Sequence, residues 1–187
     1  HARHMNSGAK KILVLSAVTL AAFGAAAAIV WLLWWKPTEY VSEAEGFSIR
    51  FPAGWSVRRD DDAPIVRGRG LLAPEDGEDP GIITVLIVDL KTLPAAGAGT
   101  SWWSPISAVH LQDFARVGDG FMHVAGEKSP WILFSYTEGT DKVLMKGQQF
   151  YLRGGTRGYV ITCTARPAAF EKFRAEFERT ARSLRFL

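Results

Sequence analysis

The chain of 187 residues carries 22 Lys and Arg against 19 Asp and Glu, a formal net charge of +3, and 48% of its residues are hydrophobic. That length accommodates one ordinary domain plus a short appendage. Residues 1–36 hold four of the basic residues and no acid, so the remainder is nearly neutral, with 18 basic and 19 acidic residues. We therefore expect no nucleic-acid partner, and a single cysteine, Cys163, excludes an intrachain disulfide.

An uncharged apolar segment dominates the N-terminal part of the chain. The 24 residues from Ile12 to Trp35 contain no charged side chain, and a helix of that length extends about 36 Å, enough to cross a hydrocarbon core of about 30 Å. A cleaved secretory signal is the alternative, because Lys10 and Lys11 precede the segment and an alanine run lies within it. The apolar region of a signal spans only about 7–15 residues. The pattern therefore favours an uncleaved transmembrane helix over residues 12–35.

The flanking charges predict how this helix is oriented. Three basic residues and no acid precede it, whereas acids accumulate soon after it. Because basic flanks stay cytoplasmic, residues 1–11 are predicted to be a cytoplasmic tail. The rest of the chain would then lie in the periplasm or lumen, beside a bacterial inner or photosynthetic membrane. Trp34, Trp35 and Lys36 fit an interfacial anchor in contact with the lipid bilayer.

Beyond the apolar segment, the chain is predicted to continue as a linker and one domain. Residues 36–46 are acidic and are predicted to be a short juxtamembrane linker, followed by an extracytoplasmic domain over 47–187. Alternating or β-branched apolar patterns predict four strands in its first half, over 47–51, 55–59, 65–72 and 82–90. The continuous apolar character of the last of these predicts a central strand buried on both faces.

The second half of the domain is predicted to contain two helices and four strands. Ser104-Pro105 is a typical helix start, so a helix is expected up to Val117, where Gly118 ends it. Strands are then predicted at 121–125, 131–136, 143–152 and 157–164, the last two joined by a hairpin at Gly154-Gly155. Pro167 opens a closing helix whose apolar stripe consists of Phe170, Phe173, Phe177, Ala181 and Leu184.

Two phrases of the sequence carry a family resemblance. The first runs Gly46-Phe-Ser-Ile-Arg-Phe-Pro52 and continues with Gly54-Trp55. The second runs from Gly158-Tyr-Val-Ile-Thr162 through Cys163 and Pro167 to Ala181-Arg-Ser-Leu-Arg-Phe186. Over roughly residues 40–187, the chain resembles the PsbP-like (oxygen-evolving-enhancer-like) proteins, whose fold is shared with Ran-binding Mog-type proteins.

The resemblance implies an α+β fold, with a central antiparallel sheet flanked by helices on both faces as an α/β/α sandwich. The best-known PsbP-like proteins are extrinsic, non-enzymatic subunits on the lumenal face of a photosynthetic membrane complex, and others are bacterial envelope proteins. This chain departs from the lumenal members by its predicted transmembrane helix. The departure weighs against a role in water oxidation and against Ran binding, which requires a soluble intracellular domain.

Small residues mark one side of the predicted transmembrane helix. Ala17, Ala21, Gly24, Ala25 and Ala28 recur at spacings of three and four. Such a face lets two helices approach closely in lipid, where packing drives association. We expect it to dock against another membrane-protein subunit, although alanine is also common in anchors that pack against nothing.

Two adjacent tryptophans offer a second contact with a partner. Trp102 and Trp103 follow a loop of small residues at 94–100. Large aromatic side chains dominate interface energetics, so one of the pair is expected to contact a partner or the membrane surface, while the other completes the core.

The sequence gives little support for catalysis or metal binding. His110 and His123 could form a metal or catalytic pair, but each is expected to be an individually hydrogen-bonded histidine. Cys163 lies in an apolar strand and is expected to be a small buried residue rather than a nucleophile. The acidic clusters at 60–62 and 75–79 lack the spacing of a calcium loop and are expected to be solvated. No catalytic residue, cofactor or metal is predicted.

The leading hypothesis is a non-enzymatic accessory subunit of a hetero-oligomeric membrane complex, with a photosynthetic reaction centre–antenna assembly suggested by the resemblance. A free-standing, membrane-tethered envelope protein that binds a small ligand or senses stress is the alternative. An enzyme, such as a hydrolase using His110, His123 or an acidic loop, is the third hypothesis. Survival of a stable complex in mild detergent separates the first hypothesis from the other two.

Overall fold

Two antiparallel sheets and one helix make up the described part of the chain. The computed structural model describes residues 36–60, 65–70, 81–92 and 111–187. In chain order its elements are β1 (Thr38–Ser42), β2 (Phe47–Phe51), β3 (Trp55–Asp60), β4 (Ile65–Gly70), β5 (Ile82–Asp89), β6 (Gln112–Val124), β7 (Glu127–Glu138), β8 (Val143–Gly154), β9 (Arg157–Ala165), α1 (Pro167–Ser183) and β10 (Arg185–Phe186). The larger sheet has the order β3-β4-β5-β9-β8-β7-β6, and the smaller sheet, called here the terminal sheet, has the order β1-β2-β10.

Helix α1 forms where the sequence predicts it. Pro167 occupies the first turn, where its missing N–H costs nothing, and the residue before it, Arg166, has an extended backbone. Phe170 and Phe177 are fully buried and Phe173 is half-buried. Four of the five predicted stripe residues are thus buried outright, since Ala181 and Leu184 also have no exposed area. The stripe lies against the large sheet and the terminal sheet.

Apolar side chains pack on both faces of the large sheet. The main core lies on the α1 side and includes the buried residues of β2, β5 and β9 as well as the helix stripe. A second cluster occupies the opposite side, called here the second face, near β6, β7 and β8. Its buried members are Leu90, Ile132, Phe134, Tyr136, Met145, Tyr151 and Val160. Because alternate residues of a strand point to opposite faces, neighbours such as Phe150 and Tyr151 belong to different clusters.

Most of the predicted strands are confirmed, and β8 and β9 form the predicted hairpin, with Gly155 at a positive φ of 59°. The prediction that β5 is buried on both faces is wrong. Ile83, Val85 and Ile87 are buried on the α1 side, but the residues between them, including Thr84 and Leu86, are only half-buried. The second face of the sheet is therefore incompletely covered at β5.

The predicted helix up to Val117 is wrong from Gln112 onward, because Gln112–Val124 is the long edge strand β6. Two register shifts against β7, between Gln112 and Ala115 and between Arg116 and Gly118, mark bulges in this strand. Each bulge adds a residue and shifts the apolar alternation. The apolar residues Phe114 and Val117 consequently stand three apart, as they would in a helix.

The predicted linker at 36–46 contains a strand. Thr38–Ser42 forms β1, which pairs along its whole length with β2. The compact unit accordingly begins at Pro37. The partner of β1, strand β2, lies next in the sequence. However, β1 is only five residues long and is followed by a turn, and it has no apolar alternation that would predict a strand.

The described residues include no helix that is both long and apolar enough to cross a membrane. The predicted transmembrane helix at 12–35 and the predicted tail at 1–11 lie outside the described residues. So does the predicted helix start at Ser104-Pro105. Within the described ranges the sheet carries one helix on one face, so the expected second helical layer is not among them.

Candidate functional site

The terminal sheet joins the two ends of the described chain. Strand β2 lies between β1 and β10, so that Ser48 is paired with Val41 on one side and with Arg185 on the other. The backbone N–H of Leu187 donates to the carbonyl oxygen of Gly46 at 3.0 Å. A strand of only two residues, such as β10, is stable in this position because α1 ends immediately before it and delivers Phe186 onto the core.

Tyr159 of β9 ties the terminal sheet to the large sheet. Its hydroxyl donates to the carbonyl oxygen of Glu45 at 2.8 Å, and its ring packs on Phe47 with centroids 5.3 Å apart. Burial raises the pKa of the Tyr159 phenol, with the nearby Arg157 guanidinium opposing that rise. The carboxylate of Glu45 also forms an ion pair with Arg59 of β3 at 3.1 Å. The turn between β1 and β2 is thus held by two strands of the large sheet.

Close aromatic–glycine contacts and α1 complete this attachment. Phe51 of β2 lies directly over Gly68 of β4, and Phe186 lies over Gly154 of β8, at positions where a Cβ atom would overlap the ring. The backbone N–H of Arg50 donates to the Ser183 hydroxyl at 2.8 Å at the end of α1. The part of the domain that follows Lys36 is therefore fixed to the core through side chains, strand pairing and the end of the helix.

A row of polar side chains crosses the second face. The register places five residues side by side on successive strands, and they are called here the polar row: Arg58 of β3, Arg67 of β4, Thr84 of β5, Thr162 of β9 and Gln149 of β8. The two arginines are exposed and the other three residues are half-buried. The Gln149 side-chain amide donates to the Thr162 hydroxyl at 2.9 Å and its oxygen accepts from the Tyr151 hydroxyl at 2.7 Å.

The two arginines of the polar row are directly opposite each other. Arg58 pairs with Arg67 in the β3–β4 register, which brings two like charges together across neighbouring strands. In the part of the chain that the structure describes, no acidic side chain forms an ion pair with either one. The sequence reasoning missed this pair. The four-residue connection at 61–64 could have revealed it. Two antiparallel strands joined by so short a connection pair in a register that places Arg58 opposite Arg67.

The edge strand β6 carries a smaller apolar surface. Phe121 is 62% exposed and Val117 is 56% exposed. The ammonium group of Lys128 lies 4.2 Å from the centroid of the Phe121 ring, a cation–π contact that covers part of the ring. Single exposed apolar residues are common on protein surfaces, so this edge has less to distinguish it than the paired arginines have.

Most of the predicted contact residues lie outside the described residues. This holds for the small-residue face of Ala17, Ala21, Gly24, Ala25 and Ala28, for Trp34 and Trp35 of the interfacial anchor, and for Trp102 and Trp103. Lys36 is described and is exposed. The role of each of these residues remains a prediction.

The residues considered for chemistry are not brought together in the described ranges. His123 is exposed on β6, while His110 and most of both acidic clusters lie outside the described residues. Cys163 is completely buried, and burial raises the pKa of its thiol well above the usual value, as expected for a small core residue rather than a nucleophile. Among the described residues, no group of three or more His, Cys, Asp and Glu side chains could hold a metal ion.

Comparison with known proteins shows the fold. No protein-family model matches the chain, and no curated protein matches it. Cyanobacterial PsbP (CyanoP) from Synechocystis sp. PCC 6803 is similar in structure, with a TM-score of 0.57 and 10% identity over 82% of this chain and 94% of that one.

Two further solved structures agree. LpqN, involved in cell envelope biogenesis of Mycobacterium tuberculosis, has a TM-score of 0.55 and 13% identity over 80% of this chain and 89% of its own. The Ran-binding protein Mog1p of Saccharomyces cerevisiae has a TM-score of 0.55 and 10% identity over 81% and 96%. The chain thus has the fold that PsbP and Mog1 share, mostly antiparallel sheet with one helix in the described part.

Proposed function

We propose that this protein is a non-enzymatic accessory subunit of a membrane complex, held at the extracytoplasmic face by a transmembrane helix over residues 12–35. The helix would dock laterally through its small-residue face, and the domain would cap the periplasmic or lumenal side and brace neighbouring subunits. A photosynthetic reaction centre–antenna assembly is the complex we propose.

The attachment of the terminal sheet carries this proposal. Strand β1 begins at Thr38, so a helix that ends at Trp35 would leave only Lys36 and Pro37 before the first strand. Two residues of extended chain span about 7 Å. Because β1 is paired with β2 and held through Glu45 and Tyr159, the folded domain would begin immediately after this short connection and would have little reach along the chain. A short connection fits a bracing subunit, whereas a tethered ligand-binding or sensing domain gains reach from a long flexible linker.

The structural neighbours support the choice of complex and compartment. One is a cyanobacterial PsbP and another takes part in cell envelope biogenesis. Both statements belong to those proteins, and at 10% and 13% identity they reach this chain only as a reason to propose an extracytoplasmic, photosynthetic setting. The charge asymmetry around residues 12–35 supports the same orientation independently.

Lengthening the connection tests the proposal. A flexible Gly/Ser segment of about ten residues, inserted between Lys36 and Pro37, would add an r.m.s. reach of roughly 17 Å. The measurement is the fraction of the chain that co-migrates with a large pigmented species after the native membranes are solubilised in mild detergent. We expect the insertion to reduce that fraction strongly, because the domain could no longer brace its neighbours.

The matched control is the same insertion between Thr140 and Asp141, in the exposed turn between β7 and β8, which should leave co-migration unchanged. Migration of the unaltered chain as a small colourless species would overturn the proposal and favour the free-standing envelope protein. Equal co-migration of both insertion variants would show that the short connection does not matter, and would remove the argument for bracing.

A further inference from the structure

We infer that the β3–β4–β5 part of the second face is a docking surface for an acidic segment of a partner protein, with the paired Arg58 and Arg67 as its main contacts. The inference deepens the proposed function, because in that setting a neighbouring subunit supplies the acidic segment. Its own evidence is the local arrangement of charge and hydrogen-bonding groups.

The opposed arginines repel each other, which costs stability. Residues directly opposite on antiparallel strands have Cβ atoms about 4.5–5.5 Å apart, and like charges in such pairs destabilise the sheet. Arg58 and Arg67 occupy this relation in β3 and β4. The domain therefore carries a repulsive pair on an exposed surface, and contact with an acid would remove that repulsion.

Several other arginines of the domain form ion pairs. Five described arginines lie within 4.0 Å of an acidic side chain: Arg50 with Glu39, Arg59 with Glu45, Arg116 with Asp119, Arg174 with Glu178 and Arg179 with Glu176. Arg59 is the immediate neighbour of Arg58 but faces the α1 side and is paired with Glu45. Among the described residues Arg58 and Arg67 have no such partner, and their strands place the two exposed side chains directly opposite each other. This doubly charged surface suits an external acid.

The surface beside the two arginines carries hydrogen-bonding side chains. Next to Arg67, the polar row continues with Thr84 and Thr162, whose half-buried hydroxyls can donate hydrogen bonds. The Thr162 oxygen accepts from Gln149 at 2.9 Å, and its O–H is a further hydrogen-bond donor. Neighbouring strands are about 4.8 Å apart, so the row offers a line of cationic and neutral donors roughly 19 Å long.

The chemistry of the surface favours an acidic protein segment over a nucleic acid. Guanidinium groups bind carboxylates bidentately, so two neighbouring guanidinium groups suit two carboxylates of one acidic segment. A nucleic acid would meet a nearly neutral domain, with 18 basic and 19 acidic residues beyond residue 36, which does not attract long polyanions. A folded or extended acidic protein segment fits two localised charges better.

The experiment measures binding of an acidic peptide of alternating glutamate and serine to the full chain in non-ionic detergent micelles. Fluorescence anisotropy of the labelled peptide gives Kd at ionic strengths of about 0.05 M and about 0.3 M. We expect the double variant Arg58→Gln/Arg67→Gln to weaken binding by about tenfold or more, while the control variant Arg153→Gln stays within about twofold of the unaltered chain. Thermal unfolding confirms that each variant is folded.

Several results would overturn the inference. Equal weakening by Arg153→Gln would show general charge attraction, and no binding by the unaltered chain would show that the surface takes no acidic segment. Full competition by inorganic phosphate would indicate a small-anion site, and arginine-dependent binding to vesicles of phosphatidylserine and phosphatidylcholine, without peptide binding, would indicate a lipid surface. If the peptide binds as expected but the chain forms no complex in membranes, the proposed function fails and this inference stands.

Discussion

The two faces of the large sheet are built from the same strands but are used differently. On the α1 face, β5 presents Ile83, Val85 and Ile87, all buried against the helix and the terminal sheet. On the second face, the same strand presents Thr84 and Leu86, which are half-buried. Burial of one face is enough to hold a sheet together when a helix covers it. The other face is then free to carry polar and charged residues at its β3–β4 end.

The largest difference between the faces should appear when a large side chain is truncated. Phe170 of α1 is fully buried and packs on Phe177 with ring centroids 5.5 Å apart. Phe170→Ala is expected to lower the free energy of unfolding by about 3–5 kcal/mol, because it removes a buried ring and leaves a cavity. Leu86→Ala on the second face should cost less than about 2 kcal/mol, since solvent already reaches that side chain.

Chemical denaturation of the full chain in micelles, followed by tryptophan fluorescence, measures both losses. Equal losses would contradict the comparison and would mean that the second face contributes to the core at β5 as much as the α1 face does.

A steric change sharpens the comparison inside the second face. Gly147 of β8 lies against the buried ring of Phe134, and a Cβ atom there would overlap that ring. Gly147→Ala is expected to cost about 1–3 kcal/mol through overpacking. The control is Gly118→Ala on β6, where the nearest side-chain atom, the Cβ of Leu133, is 4.0 Å away.

Thermal unfolding compares the two glycine variants. A large loss at Gly147 with little change at Gly118 would show that the second face is tightly packed near β7 and β8 even though its β3–β4 end is exposed. Similar small losses would mean that the apolar cluster on the second face rearranges to accommodate the added methyl group.

The smallest effect has the opposite sign. Arg67→Gln removes the repulsion with Arg58 and is expected to raise the free energy of unfolding by about 0.2–1 kcal/mol. Arg59→Gln, on the α1 side, removes an ion pair with Glu45 and is expected to lower it by about 0.2–1 kcal/mol. Opposite signs in the same denaturation measurement would distinguish an arginine that destabilises the isolated domain from one that stabilises it. A loss with Arg67→Gln would contradict this reading of the arginine pair.

The elements that the sequence predicts well have their information close together along the chain. The β8–β9 hairpin depends on Gly154 and Gly155, and α1 depends on Pro167 and a stripe of apolar residues within one segment. Strand β10 could not be predicted, because its two residues are ordered by pairing with β2, more than 130 positions earlier, and by the packing of Phe186 on the core. Strand β6 was obscured by its bulges, which break the alternation that marks a strand.

The candidate site was predictable only in part. The β3–β4 connection at 61–64 is enough to place Arg58 opposite Arg67, provided that the strands pair without a bulge. The lack of an ion-pair partner among the described residues is different, since it depends on which acidic side chains the fold brings near. Glu45 reaches Arg59 only because the terminal sheet places its turn beside β3, and no local pattern contains that information.

Arginine footprinting shows whether the second face contacts an acidic partner within a membrane complex. Phenylglyoxal, which modifies accessible guanidinium groups, is applied to the isolated full chain and to the complex solubilised in mild detergent, and the modified positions are quantified by mass spectrometry. The account predicts that Arg58 and Arg67 are protected in the complex, while the exposed Arg182 of α1 reacts equally in both samples. Equal reactivity of Arg58 and Arg67 in the two samples would contradict it.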